Sequence, residues 1–180
     1  MARRIVDLVK LIIDSKKEIK VAADLTVGSG KDSKYILENT CVERLYGFDI
    51  QEEAEEKAKK LIGNDPRFIF NLASHDQIDE YIKEGLDLAI YNLGYLPGGN
   101  KEITTKYEST INSLERTLKL LNKEGLAILT IYPGHPAGKE ESKKIESYLE
   151  EINQQKYTII KITHPTRPKN PPYIIVIEKN

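Results

Sequence analysis

The sequence DLTVGSGKD, residues 24–32, overlaps the end of the apolar run IKVAADL and leads directly into KDSKYILENT. The apolar run is typical of a buried strand, and the segment after the loop has helical periodicity. Gly28 and Gly30 let the backbone between them turn sharply and approach a ligand without a Cβ in the way. Strand, glycine turn and helix in this order predict the first βα unit of a parallel sheet.

This strand–helix alternation continues along the chain. It predicts parallel βαβ units with right-handed crossovers, and hence a doubly wound α/β sheet of seven strands. The stretch PTRPKNPP, residues 165–172, is too rich in proline for a helix and too short for a parallel crossover, so the last strand is predicted to be antiparallel. The predicted strands are 19–25, 43–50, 67–72, 86–92, 125–132, 157–164 and 172–179, and the predicted helices are 4–18, 31–40, 51–63, 76–83, 104–122 and 139–154.

Composition narrows the class of protein. A chain of 180 residues predicts a single domain, 1–180, in which segment 1–18 is a helix packed on the sheet. The net charge is −1, so a nucleic-acid partner would need a local basic patch. No apolar run is long enough to cross a membrane, and we expect a soluble, cytoplasmic protein. Cys41 is the single cysteine, which excludes an intrachain disulfide and a Cys-based metal site; no metal is expected.

The second predicted strand ends at Asp49, about 20 residues after the first glycine, where an acidic side chain can accept hydrogen bonds from a ribose. The third glycine of a G-x-G-x-x-G fingerprint is replaced by Ser33. Asp24 and Asp32 flank the turn with negative charge, which would repel a pyrophosphate but suits the ammonium and sulfonium of S-adenosylmethionine. We therefore expect a methyltransferase cofactor; a nicotinamide-dependent oxidoreductase and a non-catalytic nucleotide-binding module are the alternatives.

The third strand leads into ASHDQID, residues 73–79. His75 or Asp76 could contact the adenine of the cofactor. A helix cap formed by Ser74 or Asp76 explains the same residues without any ligand.

The fourth strand ends in NLGY, residues 92–95, at the edge of the sheet where open α/β folds bind ligands. The Asn92 carboxamide and the Leu93 carbonyl could orient the N–H bonds of an amine, and Tyr95 could stack on a flat base. A turn without function is the alternative, since Pro97, Gly98 and Gly99 follow directly. NPPY, residues 170–173, matches the motif of amino-group methyltransferases in letters, but we interpret its prolines as shaping a hairpin and Asn170 as a rim residue.

The fifth strand leads into YPGHPAGKEE, residues 132–141. His135 is a candidate proton acceptor near the amine, and a structural role is an equal alternative. Glu140 and Glu141 are interpreted as acidic residues at the start of a helix, without a role in the chemistry.

The blocks DLTVGSGKD, YGFDIQ, NLGYLPGGNK, YPGH followed by GKEE, and NPPYIIVIEK together resemble the bacterial rRNA-methylase family of the YtqB-like group. The resemblance runs from about residue 20 to the C-terminus. It implies a class I, Rossmann-like methyltransferase that uses S-adenosyl-L-methionine, with MnmM-type methylation of the 5-aminomethyl group on wobble (2-thio)uridine of tRNA. It also implies a cofactor site made by Asp24, Thr26, Gly28, Gly30, Asp32, Asp49 and Gln51, and a methyl-transfer wall made by Asn92, Gly94 and Tyr95.

One residue departs from the family pattern. Ser29 stands where an asparagine is expected, and a serine can still hydrogen-bond to the cofactor. The expected partner is the anticodon region of tRNA, which would be held by Lys101, Lys106, Arg167 and Lys169. Methylation of rRNA or of a small amine remains an alternative, and the sequence leaves the oligomeric state open, a homodimer included.

Overall fold

The computed structural model describes residues 5–94, 105–134, 136–164 and 170–180. Helices and strands alternate through nearly all of this part of the chain, and a short 3₁₀ turn, His75–Gln77, precedes the fourth α-helix. The helices are α1 (Ile5–Ser15), α2 (Lys31–Asn39), α3 (Glu52–Ile62), α4 (Ile78–Tyr81), α5 (Tyr107–Leu120) and α6 (Pro136–Glu151). The strands are β1 (Val21–Asp24), β2 (Arg44–Asp49), β3 (Phe68–Leu72), β4 (Leu86–Asn92), β5 (Leu121–Ile131), β6 (Tyr157–Ile162) and β7 (Tyr173–Lys179).

The described strands form one seven-stranded sheet in the order β3-β2-β1-β4-β5-β7-β6. Neighbours from β3 to β5 are parallel, whereas β7 lies between β5 and β6 and is antiparallel to both. The predicted fold, a mostly parallel doubly wound sheet with an antiparallel last strand, is therefore confirmed. The strand order reverses between β1 and β4, and this is the position at which open α/β sheets bind their ligands.

Two apolar clusters cover the two faces of the sheet. The larger cluster joins α4, α5 and α6 to one face, and its members include Ile78, Leu114 and Ile145. The smaller cluster joins α1 and α2 to the other face through residues such as Ile13 and Ile36. Because side chains alternate along a strand, odd-numbered residues of β4 from Ala89 onward point to the first face and even-numbered residues from Leu88 onward to the second.

The starts of β5 and α6 differ from the prediction. β5 begins at Leu121 rather than at residue 125, and its pairing with β4 shifts register where Glu124 adopts a φ of 63°. Residues 122–124 are polar, so this part of the strand is not recognisable as an apolar run in the sequence. α6 begins at Pro136 rather than at residue 139, because a proline is well tolerated in the first turn of a helix.

The described ranges contain no candidate membrane span and no candidate metal site. None of the described helices is both long enough and apolar enough to cross a bilayer. The same residues contain no group of three or more His, Cys, Asp or Glu side chains arranged to hold a metal ion.

Candidate active site

The loop after β1 connects the carboxyl ends of three strands. Val27 N–H donates to the Phe48 carbonyl of β2 at 3.1 Å, and Leu25 N–H donates to the Ile90 carbonyl of β4 at 2.9 Å. The hydroxyl of Thr26 accepts from the Asn92 N–H at 2.7 Å. The glycine turn and the end of β4 are therefore joined at the carboxyl ends of the strands, and "the edge of the sheet" refers below to this end.

Asp49 closes the turn from the side of β2. Its two carboxylate oxygens accept from the backbone N–H groups of Gly28 at 2.9 Å and Gln51 at 3.0 Å. Burial raises the pKa of Asp49, while these backbone donors oppose the rise. Each carboxylate oxygen has a second lone pair, so the half-buried group can still accept from a ligand hydroxyl. The next residue, Ile50, is 60% exposed and offers an apolar surface beside this acid.

Asp24 lies beneath the turn. It is 1% exposed, and its carboxylate accepts from Thr26 N–H at 3.2 Å and from the Ser33 hydroxyl at 2.5 Å. Burial, with a smaller contribution from nearby Asp32, raises the pKa of Asp24 to about 7. Ser33 stands where a dinucleotide fingerprint has its third glycine, and here its side chain has a structural partner. A direct contact of Asp24 with a ligand stays a prediction.

Both glycines of the turn have left-handed backbones, with φ of 53° at Gly28 and 77° at Gly30. Close packing also requires a glycine at position 30, since a Cβ there would lie 2.9 Å from the Cα of Ala58 in α3. Ser29, between them, is half-buried. The turn is thus pressed against α3, which holds its backbone at the edge of the sheet.

Asn92 and Asp32 meet across the turn. The Asn92 amide nitrogen donates to a carboxylate oxygen of Asp32 at 3.3 Å. Burial raises the pKa of Asp32, and this hydrogen bond lowers it. Because the amide nitrogen is directed at Asp32, the carboxamide oxygen is the atom left to accept N–H bonds from a substrate.

Tyr132 is an aromatic residue of this edge that the sequence analysis did not select. Asn92 pairs with Thr130 in β5, so Tyr132, two residues further, follows on the same face as Asn92. It is half-buried, and its pKa is raised by burial and by the negative charge of Asp32. The signal in the sequence was its position as the last residue of the predicted fifth strand, which parallels that of Asn92 at the end of the fourth.

Gly94 and Thr105 are joined by two hydrogen bonds. Gly94 N–H donates to the Thr105 hydroxyl at 3.0 Å, and Thr105 N–H donates to the Gly94 carbonyl at 3.1 Å. The Thr105 hydroxyl donates in turn to Glu141 at 3.0 Å, and Thr110 donates to the other carboxylate oxygen at 2.9 Å. Glu141 is 4% exposed and lies in the second turn of α6, so its interpretation as an acid at the start of a helix was wrong.

His75 lies at the carboxyl end of β3 and is 9% exposed. Burial lowers its pKa to about 4, and its Nδ1 has no hydrogen-bond partner among the described residues. Its backbone carbonyl accepts from Ser113 at 2.9 Å, and its ring meets that of Tyr91 edge-on at 6.0 Å. The Ser74 side chain makes no capping bond to the 3₁₀ turn. The adenine contact of His75 stays a prediction.

The remaining predicted residues fall partly outside and partly inside the described ranges. Tyr95, Lys101, His135, Arg167 and Lys169 lie outside the described residues. Lys106 is exposed just before α5. Asn170 adopts a left-handed φ of 49° before β7, whose first residue pairs with Ile131. The NPPY segment therefore begins at the same edge of the sheet as the candidate site, but β5 separates it from Asn92.

The sheet order, the turn after β1 and the polar end of β4 define the class I methyltransferase fold. The match to a family model covers residues 45–178, under the description "Putative rRNA methylase". The chain belongs to this rRNA-methylase family.

Three relatives illustrate the similarity. A Clostridium thermocellum protein described as a "putative rRNA-methylase" is 27% identical, with a TM-score of 0.95 and full coverage of both chains. A "putative methyltransferase" from Streptococcus mutans, solved in complex with SAH, is 25% identical, with a TM-score of 0.90 and full coverage of both chains. A chloroplastic tRNA (mnm(5)s(2)U34)-methyltransferase of Arabidopsis thaliana is 30% identical over 171 residues, 87% of this chain. The chain spans 62% of the length of that plant relative.

Proposed function

We propose that this protein is an S-adenosylmethionine-dependent RNA methyltransferase that methylates the 5-aminomethyl group of wobble uridine in tRNA. The observation that carries the proposal is the placement of Asn92. Its amide nitrogen donates to the Asp32 carboxylate at 3.3 Å, and its backbone N–H donates at 2.7 Å to the hydroxyl of Thr26 in the glycine turn, which we call the cofactor turn. An amide held in this way presents an acceptor to an amine at the point where a cofactor turn meets the switch in strand order.

The charges around the turn favour a cationic cofactor. Asp24, Asp32 and Asp49 all have pKa values raised chiefly by burial, and both Asp32 and Asp49 add to the rise at Asp24. Such a cluster disfavours a pyrophosphate and is relieved by a ligand with an ammonium and a sulfonium. Asp49 would hold the ribose, and the exposed Ile50 would lie against the base.

The relatives support both halves of the proposal. The Streptococcus mutans protein was solved in complex with SAH, the product form of this cofactor. The Arabidopsis relative carries the name of a methyltransferase acting on position 34 of tRNA. The extension from that name to this chain is a proposal, because the chain spans only part of the plant protein.

The cofactor would supply a methyl group on a positively charged sulfur: the amine lone pair forms the new N–C bond, the C–S electron pair returns to sulfur, and the ammonium so formed loses one proton. The chain contributes alignment of the reacting atoms, which can account for a large part of the acceleration. The Asn92 carboxamide oxygen and the Leu93 carbonyl would accept the two N–H bonds, so that the lone pair faces the methyl group.

Protonation of the substrate sets the expected pH dependence. An ammonium has no lone pair, so turnover should rise with pH through the ionisation of the substrate amine. His135 is a candidate to receive the released proton, and Tyr95 and Tyr132 are candidates to stack on the uridine. Recognition of the anticodon region would use the exposed Lys106 together with Lys101, Arg167 and Lys169.

The test combines ligand binding with a choice of acceptors. Calorimetry should detect binding of S-adenosylhomocysteine and none of NAD. Purified protein and S-adenosylmethionine should then transfer a methyl group to tRNA that carries 5-aminomethyl uridine, and not to ribosomal RNA or free amines. Binding of NAD alone would contradict the cofactor assignment, and transfer to ribosomal RNA or to a small amine would contradict the assignment of the substrate.

A further inference from the structure

The peptide group between Leu93 and Gly94 follows directly after β4, the strand that ends at Asn92. Leu93 N–H is held by the Thr130 carbonyl of β5 at 3.0 Å, so the chain leaves β4 in a fixed direction. Gly94 N–H is held by the Thr105 hydroxyl at 3.0 Å. A side chain 11 positions away therefore sets the orientation of this peptide group.

That orientation also decides where the Leu93 carbonyl points. A trans peptide is planar, with its C=O and N–H directed to opposite sides, and the described residues contain no cis peptide bond. When Thr105 holds the Gly94 N–H, the Leu93 carbonyl must point the other way. Gly94 has a φ of 138°, a conformation that L-residues rarely adopt, so this arrangement needs glycine and is kept by outside contacts.

Glu141 fixes the Thr105 hydroxyl in turn. The hydroxyl has one hydrogen, which it donates to a carboxylate oxygen of Glu141 at 3.0 Å, so only its lone pairs can face Gly94. Glu141 is 4% exposed, and a buried carboxylate that loses a donor carries a large desolvation cost. The Thr105 hydroxyl therefore donates to Glu141 and not to water. The two hydrogen bonds from Gly94 to Thr105 and from Thr105 to Glu141, called the relay below, thus have one low-energy arrangement.

We propose that Glu141 is a positioning residue for methyl transfer: acting through Thr105, it aims the Leu93 carbonyl at the acceptor amine. The proposal rests on the function proposed above, since it assigns a support to one of the two groups that orient the amine. Glu141 lies on α6 and acts through another side chain, so its effect should fall on turnover and not on cofactor affinity.

A purely structural role would make Glu141 a link between α5 and α6. The two threonines that donate to Glu141 separate these roles. Thr105→Val removes the hydroxyl that reaches Gly94, whereas Thr110→Val removes a fully buried hydroxyl that donates to the other carboxylate oxygen. The two substitutions have the same chemistry at nearly the same distance from Glu141, and only one of them breaks the relay.

The experiment compares wild type with Thr105→Val, Thr105→Ser, Thr110→Val and Glu141→Gln by three measurements. These are amide hydrogen exchange at Gly94, affinity for S-adenosylhomocysteine, and kcat and KM on tRNA that carries 5-aminomethyl uridine. Thr105→Val should expose the Gly94 amide to exchange and lower kcat roughly 10- to 100-fold, as expected for a small misplacement of a reacting group. Its affinity for S-adenosylhomocysteine should not change, and Thr105→Ser should restore both protection and kcat.

Thr110→Val should lower the melting temperature and keep the protection of Gly94 with nearly full kcat. The kcat and the Gly94 protection of Glu141→Gln should lie between those of Thr105→Val and Thr110→Val, because the amide oxygen can still accept from one threonine hydroxyl. Wild-type kcat in Thr105→Val, an unchanged Gly94 amide, or an equal loss of kcat in Thr110→Val would overturn the proposal. A wild-type protein that binds S-adenosylhomocysteine but methylates no tRNA would instead contradict the proposed function, and the exchange at Gly94 would still decide whether Thr105 and Glu141 hold this peptide.

Discussion

The cofactor side and the acceptor side of the candidate site are built in different ways. On the cofactor side, Asp24 bonds Thr26 and Ser33, and Asp49 bonds Gly28, so the contacts join residues within about one βαβ unit. On the acceptor side, Asn92 bonds Asp32, 60 positions away, and Thr105 bonds Glu141, 36 positions away. The first side is a local motif, and the second exists only when distant elements have packed.

This difference predicts how substitutions on the two sides affect the protein. A local turn is specified by its own glycines and acids, and each contact can be examined by a single substitution. The acceptor side depends on the packing of α2, α5 and α6 around the end of β4, so loss of one side chain there should alter geometry while cofactor binding persists. Substitutions on the two sides should therefore separate turnover from cofactor affinity.

The largest effect is expected for Asn92→Ala on the acceptor side. Removal of a preorganised hydrogen-bonding group from a reacting centre typically costs about 10²- to 10³-fold in kcat. The affinity for S-adenosylhomocysteine, measured by calorimetry, should stay near that of wild type. Asn39→Ala, at an exposed position on α2, is the matched control and should have wild-type kcat. Equal turnover in Asn92→Ala and wild type would remove Asn92 from the chemistry.

Asp49→Asn should produce the opposite pattern on the cofactor side. The substitution removes the charge that would accept from a ribose hydroxyl, and it turns an amide nitrogen toward a backbone N–H of Gly28 or Gln51. Affinity for S-adenosylhomocysteine should fall roughly 10- to 100-fold, the value of hydrogen bonds to a charged group. Asp65→Asn, which affects an ion pair with Arg67, is the control. Unchanged calorimetric affinity in Asp49→Asn would refute the ribose role.

Asp24 makes stability without ligand depend on pH. The pKa of Asp24 is raised by burial to about 7 in the folded protein, against about 3.9 when unfolded. The folded state therefore binds this proton more tightly, and the contribution of Asp24 to stability should fall as pH rises through this window, by about 1–3 kcal/mol between pH 5 and pH 8, measured as the difference between wild type and Asp24→Asn. Asp24→Asn should lack this fall in urea unfolding, since its amide oxygen can accept from Thr26 N–H while its amide nitrogen donates to the Ser33 hydroxyl oxygen. Parallel curves for the two proteins would contradict the assignment.

Two glycine substitutions test how the turn packs against α3. Gly30→Ala puts a Cβ 2.9 Å from the backbone of Ala58, whereas Gly63→Ala meets nothing within 4 Å. Both have a φ of 77°, and the ψ of −151° at Gly63 is the less favourable for an L-residue. Gly30→Ala should lose about 1–3 kcal/mol through overpacking in addition to the strain of its left-handed backbone, whereas Gly63→Ala loses stability through backbone strain alone. Thermal unfolding measures both, and a loss in Gly30→Ala no larger than the roughly 1–2 kcal/mol of a left-handed backbone would show that α3 does not press on the turn.

The sequence predicted the strands, the turn and the helix of the cofactor side because their signals are local. Apolar runs located β1, β2 and β4, and the spacing of Gly28, Gly30 and Asp49 follows from one βαβ unit. The antiparallel β7 was predictable from the short proline-rich link before it. These features need no knowledge of which helices touch.

The acceptor side was only partly predictable. Asn92 was identified because it ends a strand, but its partner Asp32 was assigned to the cofactor alone. Glu141 was misinterpreted because α6 begins at Pro136, which puts this acid in a buried second turn. Thr105 has no signal of its own, since its role comes from the return of the chain to Gly94. Contacts that form through tertiary packing leave no periodic trace in a sequence.

The central claim is that the edge around Asn92 methylates the amine of wobble uridine in tRNA. Mass spectrometry of tRNA nucleosides from cells that lack this gene tests it most directly, with complementation by wild type or Asn92→Ala. The account predicts that the wobble nucleoside loses one methyl group, that wild type restores it and that Asn92→Ala does not. An unchanged wobble nucleoside in cells without the gene would contradict it.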